Sequence, residues 1–133
     1  MSKNVILSIK PKYVEEIING NKIYEYRKLI FKREVNKIYI YSSYPEKRII
    51  GFFKYNGYLE GSPKNIWNLT CGFSGISKYE YDKYYKDKEI AYALRIINFI
   101  KFDKVINPKE LISDFRAPQS YMYTEIDFEK NIK

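Results

Sequence analysis

The hydrophobic period changes twice within the first 27 residues, and this double switch narrows the folds open to the chain. Val5-Ile6-Leu7-Ser8-Ile9 is a short apolar run, which predicts a buried strand. Lys10-Pro11 ends it, and Pro11 suits the first turn of a helix. Tyr13, Val14, Ile17 and Ile18 then recur at helical spacing, with Lys12, Glu15 and Glu16 on the other side. Asn19-Gly20 closes this helix with a residue able to take the left-handed conformation. Alternation follows from Lys22 to Arg27. In a strand, side chains two apart share a face, so Ile23, Glu25 and Arg27 fall together and Lys22, Tyr24 and Tyr26 fall opposite. Lys22 stands at the strand entrance, where the chain still turns, and can reach either side.

The stretch Gly20-Asn21-Lys22-Ile23-Tyr24-Glu25-Tyr26-Arg27 reads G-x-K-x-x-E-x-R. A Glu two residues before an Arg can pair with it and hold its guanidinium in one orientation. An Arg held in that way suits a phosphate or a planar base edge. The ordinary reading of the same residues is two surface charges and an ion-pair partner.

The octapeptide and its surroundings resemble the ASCH superfamily of PUA-like β-barrel domains. The resemblance is carried by G-x-K-x-x-E-x-R, by Leu7-Ser8-Ile9-Lys10-Pro11 and the helix after it, by Gly61-Ser62-Pro63 with Trp67, and by Ala117-Pro118-Gln119-Ser120. It implies an α+β fold, a small barrel of about six strands with two or three inserted helices, and residues 1–133 as one domain. It also implies a cleft that takes single-stranded RNA or a nucleotide. Lys22, Glu25 and Arg27 would line that cleft, with Lys10 and Ser42 behind them. The turn Ser42-Ser43-Tyr44-Pro45 and the loop carrying Gln119, Ser120 and Tyr121 would lie beside it. Some ASCH-like proteins are amidohydrolases that use a Lys, a Thr nucleophile three residues later and a distant Glu. Here Glu25 occupies the nucleophile position, and Glu25 does not replace a hydroxyl in acyl transfer. No carboxylate stands between Glu60 and Glu80, where the distant Glu would be sought. Other ASCH-like domains are ribonucleases, which leaves a second reading: an RNA-processing or nucleoside-modifying enzyme with Lys22 and Glu25 as acid and base.

The rest of the chain fits this outline. Leu29 to Val35 lacks a period and predicts a basic loop with Lys32 and Arg33. Lys37 to Ser43 alternates as a strand. Arg48 to Leu59 predicts a long β segment bent at Gly51 and Gly57. Ser62-Pro63 and Ser77 with Glu80 are helix starts. Trp67 and the stripe Tyr81, Tyr84 and Tyr85 read as packing. Gly72 and Gly75 lack a phosphate-loop spacing. Ile90 to Ile100 predicts one long strand, Lys101 to Ile106 another, Asn107 to Ile112 a short helix, and Tyr121 onward a last strand. From Asp127 the charged tail is expected to fray.

Charge separates the function classes. Twenty-four Lys and Arg against 16 Asp and Glu give +8. Residues 1–60 contribute +6 of this and residues 61–133 only +2. The basic field therefore centres on the half that holds the octapeptide, which favours a polyanionic partner, nucleic acid first. The chain has no histidine, so Ser-His-Asp, Cys-His and His-based RNA cleavage are excluded. Scattered carboxylates predict no metal site, and no cofactor is expected. Cys71 is the only cysteine, so no intrachain disulfide can form. The absence of a leader and of an apolar span predicts a cytoplasmic protein without a membrane partner. A third class stays open, an interaction protein that docks through its basic face. Oligomeric state is not encoded in any of these features.

Overall fold

The structure is a computed structural model that describes residues 3–131. Met1, Ser2, Ile132 and Lys133 lie outside the described residues, so the expectations about a leader and the last of the tail fall partly beyond it.

The first 27 residues fold as their periods require. Strand β1 (Lys3–Ile9) leads into helix α1 (Pro11–Ile18), and strand β2 (Tyr24–Arg27) follows. Pro11 occupies the first turn of α1, and Gly20 takes φ +80° beyond it. Further on come β3 (Val35–Ser42), β4 (Arg48–Lys54), β5 (Tyr58–Gly61), α2 (Pro63–Thr70) and α3 (Lys78–Tyr84). Strands β6 (Ala91–Arg95), β7 (Ile100–Ile106) and β8 (Tyr121–Thr124) complete the order. Ser62 Oγ accepts from the backbone N–H of Asn65 at 3.1 Å and starts α2. Ser77 Oγ accepts from Glu80 N–H at 3.1 Å and starts α3.

Two open sheets result. One has the order β7-β4-β3-β1-β8 and the other β2-β6-β5. Strands β1 and β3 run parallel, Ile6 opposite Tyr39, and β8 returns antiparallel to the free side of β1. Both faces of β1 are buried at its centre, which is why Val5-Ile6-Leu7 is a continuous apolar run rather than an alternating one. Val5, Leu7 and Ile9 point with Ile38, Ile40, Phe53, Leu94 and α1's Val14 and Ile17 into a core between the sheets. Ile6, Tyr39, Ile49, Phe52 and Phe102 point the other way, under Phe115 and Phe128. A third cluster (Tyr26, Ile66, Tyr81, Tyr85, Ala91, Ala93) packs the outer face of the small sheet against α2 and α3.

The expected barrel of about six strands is therefore corrected: the described residues form eight strands in two open sheets, with three α-helices, in an α+β fold. The physical reason lies in two breaks. Residues 90–100 do not form one strand: Asn98 takes φ +55°, β6 stays in the small sheet and β7 crosses to pair with β4. Residues 48–59 break at Gly57, φ +80°, which likewise sends β4 and β5 to different sheets. Gly51 marks a bulge, and a Cβ there would lie 2.1 Å from the Ile100 carbonyl oxygen. The tail also differs from expectation. Phe128 is fully buried, Tyr39 Oη accepts from its N–H at 3.1 Å, and Lys37 pairs with Asp127 at 2.9 Å. The helix expected at 107–112 is a single 3-10 turn, Pro108–Glu110.

Candidate nucleic-acid interface

Strand β2 begins at Tyr24, so Lys22 lies ahead of the regular pleat and is not bound to one face. The chain before it is tied by the backbone N–H of Lys22, which donates to Glu16 O at 3.1 Å. Lys22 then bridges to Ser74, and Ile23 N–H donates to Phe73 O at 3.0 Å. Lys22 Nζ donates to Ser74 O at 2.8 Å, sits 4.7 Å from the centre of the Tyr26 ring, and comes within 3.7 Å of Glu25 Oε1. The lysine thus straddles both sides of the strand entrance. Gly75 makes room for it, since a Cβ at Gly75 would meet Lys22 Cβ at 2.4 Å.

Glu25 and Arg27 share a face, as alternation requires. Arg27 Nη2 lies 2.8 Å from Glu25 Oε2 and donates to Ser8 O at 2.7 Å. Arg27 Nη1 donates to Ser120 Oγ at 3.2 Å. Ser8 in turn holds the late loop, with its Oγ donating to Pro118 O at 2.7 Å and its N–H to Ser120 O at 3.0 Å. From behind, Tyr85 Oη donates to Arg27 O at 2.9 Å. Glu25 on the same strand and two segments distant in sequence, at Ser8 and Ser120, therefore fix one guanidinium.

The three charged residues are nearly withdrawn from water: Lys22 is 2% exposed, Glu25 8% and Arg27 8%. One carboxylate lies between two cations. Such a group holds together only where geometry is good, because each ion loses its hydration. Burial pushes the Lys22 amine below the ordinary lysine value, with Glu25 opposing. Burial also raises Tyr26, to about 12. Arg27 Nε is buried and has no hydrogen-bond partner among the described residues.

Of the residues singled out in the sequence, Lys22, Glu25, Arg27 and Ser120 come together. Lys10 is exposed at the entrance of α1, and Gln119 is exposed beside Ser120. Tyr121 packs on Phe31, with ring centres 4.8 Å apart, and on Tyr123 at 5.5 Å. Ser42 is buried at the end of β3, and its Oγ has no partner among the described residues. None of these four is hydrogen-bonded into the cluster among the described residues. The basic loop is anchored, since Lys32 and Arg33 N–H groups donate to Tyr123 Oη at 3.1 and 3.2 Å. Ser8, Ser74, Gly75 and Tyr85 were not foreseen. Ser8 and Ser74 meet Arg27 and Lys22 through backbone carbonyls, which any residue carries. Gly75 was visible as a glycine, but its role depends on Lys22, 53 residues away.

No protein-family model matches the chain. In sequence it is 27% identical over 121 residues to the ASCH domain-containing ribonuclease of Zymomonas mobilis, covering 89% of this chain and 82% of that protein. It is 28% identical over 126 residues to the large ribosomal subunit protein uL22 of Ureaplasma parvum, covering 92% of this chain but only 39% of that protein. In structure it matches the crystal structure of ASCH from Zymomonas mobilis with a TM-score of 0.84 at 24% identity, over 97% of this chain and 91% of that one. A tyrosine-to-phenylalanine mutant of the Zymomonas mobilis protein gives 0.83 at 25% identity, over 92% and 90%.

Proposed function

We propose, starting from the chain's resemblance in sequence and fold to the ASCH domain superfamily, that it binds single-stranded RNA or a nucleotide at the Lys22–Glu25–Arg27 cluster. One observation carries the reading. Two buried cations share a single carboxylate. With Lys22 protonated the cluster holds one positive charge more than it balances, and an arriving phosphate supplies the missing anion. Arg27 presents a guanidinium already oriented by Glu25, Ser8 and Ser120, so little order is lost when it takes a phosphate oxygen. In this reading Gln119 and Tyr121, which flank Ser120 in the chain, would meet the base that follows. The basic first half of the chain draws the strand in. The relatives support RNA as the polyanion, one being named a ribonuclease and the other a ribosomal protein.

A second reading, RNA cleavage, rests on the lowered Lys22 pKa beside Glu25. In that reaction the 2′-hydroxyl oxygen attacks the adjacent phosphorus, and a neutral Lys22 amine or Glu25 takes its proton. The P–O5′ bond then breaks, and the leaving oxygen takes a proton. Arg27 would stabilise charge on the phosphorane. The products are a 2′,3′-cyclic phosphate and a 5′-hydroxyl. Acyl transfer is disfavoured, because both oxygens of Glu25 face cations.

The test is binding of labelled single-stranded RNA, single-stranded DNA and duplex across a salt series, with wild type and Arg27→Ala. Single-strand RNA binding that weakens with salt and drops in the variant supports the site. Equal binding of all three, unchanged by the substitution, would reduce the +8 charge to a generic attraction. Analysis of RNA ends from the same mixtures separates binder from nuclease.

A further inference from the structure

A second groove lies away from the Arg27 cluster. It lies between the start of α2 and the turn after α3, with a volume of about 660 Å³. Pro63, Trp67 and Tyr85 give it an apolar floor, and its charged lining is Lys64, Lys78 and Lys88 against Asp82 and Glu89. Trp67 packs on Tyr81, ring centres 4.7 Å apart, yet stays half-exposed where it lines the groove. Lys78 is bound to Asp82 at 2.7 Å. Lys64 and Lys88 are exposed and make no ion pair among the described residues. An aromatic face with free cations beside it is the chemistry that takes a base and its phosphates.

The groove backs onto the strand that carries Arg27. Tyr85 lines the groove, and its hydroxyl is the group that donates to the Arg27 carbonyl. The Lys88 N–H donates to Tyr85 O at 2.9 Å. Next to Tyr85, Tyr84 carries the Lys28 ammonium 4.5 Å from its ring centre, and Lys28 directly follows Arg27. Tyr84 packs on Tyr85, ring centres 4.8 Å apart, so Lys28 and Tyr84 stand between strand β2 and the groove that Tyr85, Lys88 and Trp67 line.

We propose that this groove is a second contact for single-stranded RNA, with one base against Trp67 and neighbouring phosphates on Lys64 and Lys88. A strand held at Arg27 would reach it by way of Lys28 and Tyr84. The inference rests on the RNA reading above, and the experiment keeps the two apart.

Trp67 is the only tryptophan, so its emission reports the groove and nothing else. Wild type, Lys64→Ala/Lys88→Ala and Arg27→Ala are titrated with a dinucleotide and with an RNA of about ten nucleotides, a length within the usual span of single-strand sites. Polarisation of the labelled RNA measures total binding, and Trp67 quenching measures the groove. The expected result is quenching by the longer RNA, with affinity about tenfold above the dinucleotide. Lys64→Ala/Lys88→Ala should lose both the quenching and the length advantage while still binding the dinucleotide. Binding by polarisation without quenching, unaffected by the lysine substitutions, would overturn the groove and leave the Arg27 site standing. Undiminished quenching in Arg27→Ala would support the groove and overturn the Arg27 reading. No binding of either RNA would overturn both.

Discussion

Arg27 divides its guanidinium among Glu25, Ser8 and Ser120, and this division sets what its loss should do. In Arg27→Ala, Glu25 keeps only the looser Lys22 contact at 3.7 Å. Removing one partner of a buried pair costs about 3–5 kcal/mol, because the other charge stays buried. The variant should therefore fold, with a lowered urea midpoint, and lose at least about tenfold in RNA affinity. Circular dichroism alongside polarisation checks both. Complete unfolding would make Arg27 a structural strut. Lys22 carries a pH signature. Its amine holds a proton less tightly in the fold than in the unfolded chain, because burial outweighs Glu25. The unfolded state then binds more protons, so Lys22's contribution to stability grows as pH rises toward the ordinary lysine value and is lost as pH falls through the lowered one. Wild type should gain stability relative to Lys22→Met as pH is raised toward 10.5. Parallel urea curves for the two proteins would show the opposite.

The stretch between α2 and α3 acts on the site although it carries no ionised group there. Its Ser74 carbonyl receives Lys22 Nζ, and Gly75, φ +62°, leaves the space for the lysine stem. Gly75→Ala should cost about 1–3 kcal/mol through the clash and the left-handed backbone, and should shift Lys22 away from Glu25. A reduced melting temperature with weakened RNA binding would show both; an unchanged protein would mean the loop relaxes freely. Elements like these also mark where the sequence could be read. The caps Ser62 and Ser77 and the Gly20 stop were visible because each acts within four residues of itself. The Glu25–Arg27 face was visible because strand geometry alone sets it. The break at Asn98 was not, since residues 90–100 are apolar at nearly every position and the competing partners β5 and β4 divide them. Nor was the role of Ser8, which holds Arg27 by a carbonyl.

At the scale of the molecule, tyrosine burial governs alkaline behaviour. Tyr26 is raised to about 12, and Tyr39, Tyr81 and Tyr85 are raised as well, all chiefly by burial. A raised folded value means stability that is full below about pH 10, the unfolded tyrosine value, and lost as pH climbs through the folded one. The chain should unfold cooperatively above about pH 10, with much of its tyrosinate absorbance appearing only in that transition. Gradual ionisation without loss of circular dichroism would contradict the burial. The far side of the large sheet has its own dependence. Phe128→Ala should cost about 3–5 kcal/mol, because the ring fills the cover over Tyr39. The antiparallel return of β8 to β1 has a consequence in time. A ribosome delivers Lys22, Glu25 and Arg27 early, but Ser120, 93 residues after Arg27, and the strand that seats its loop emerge much later. Until then the two buried cations have one carboxylate and no fixed floor. The nascent chain therefore passes through a period in which the basic residues 1–60 are out and the surroundings of Arg27 are unfinished.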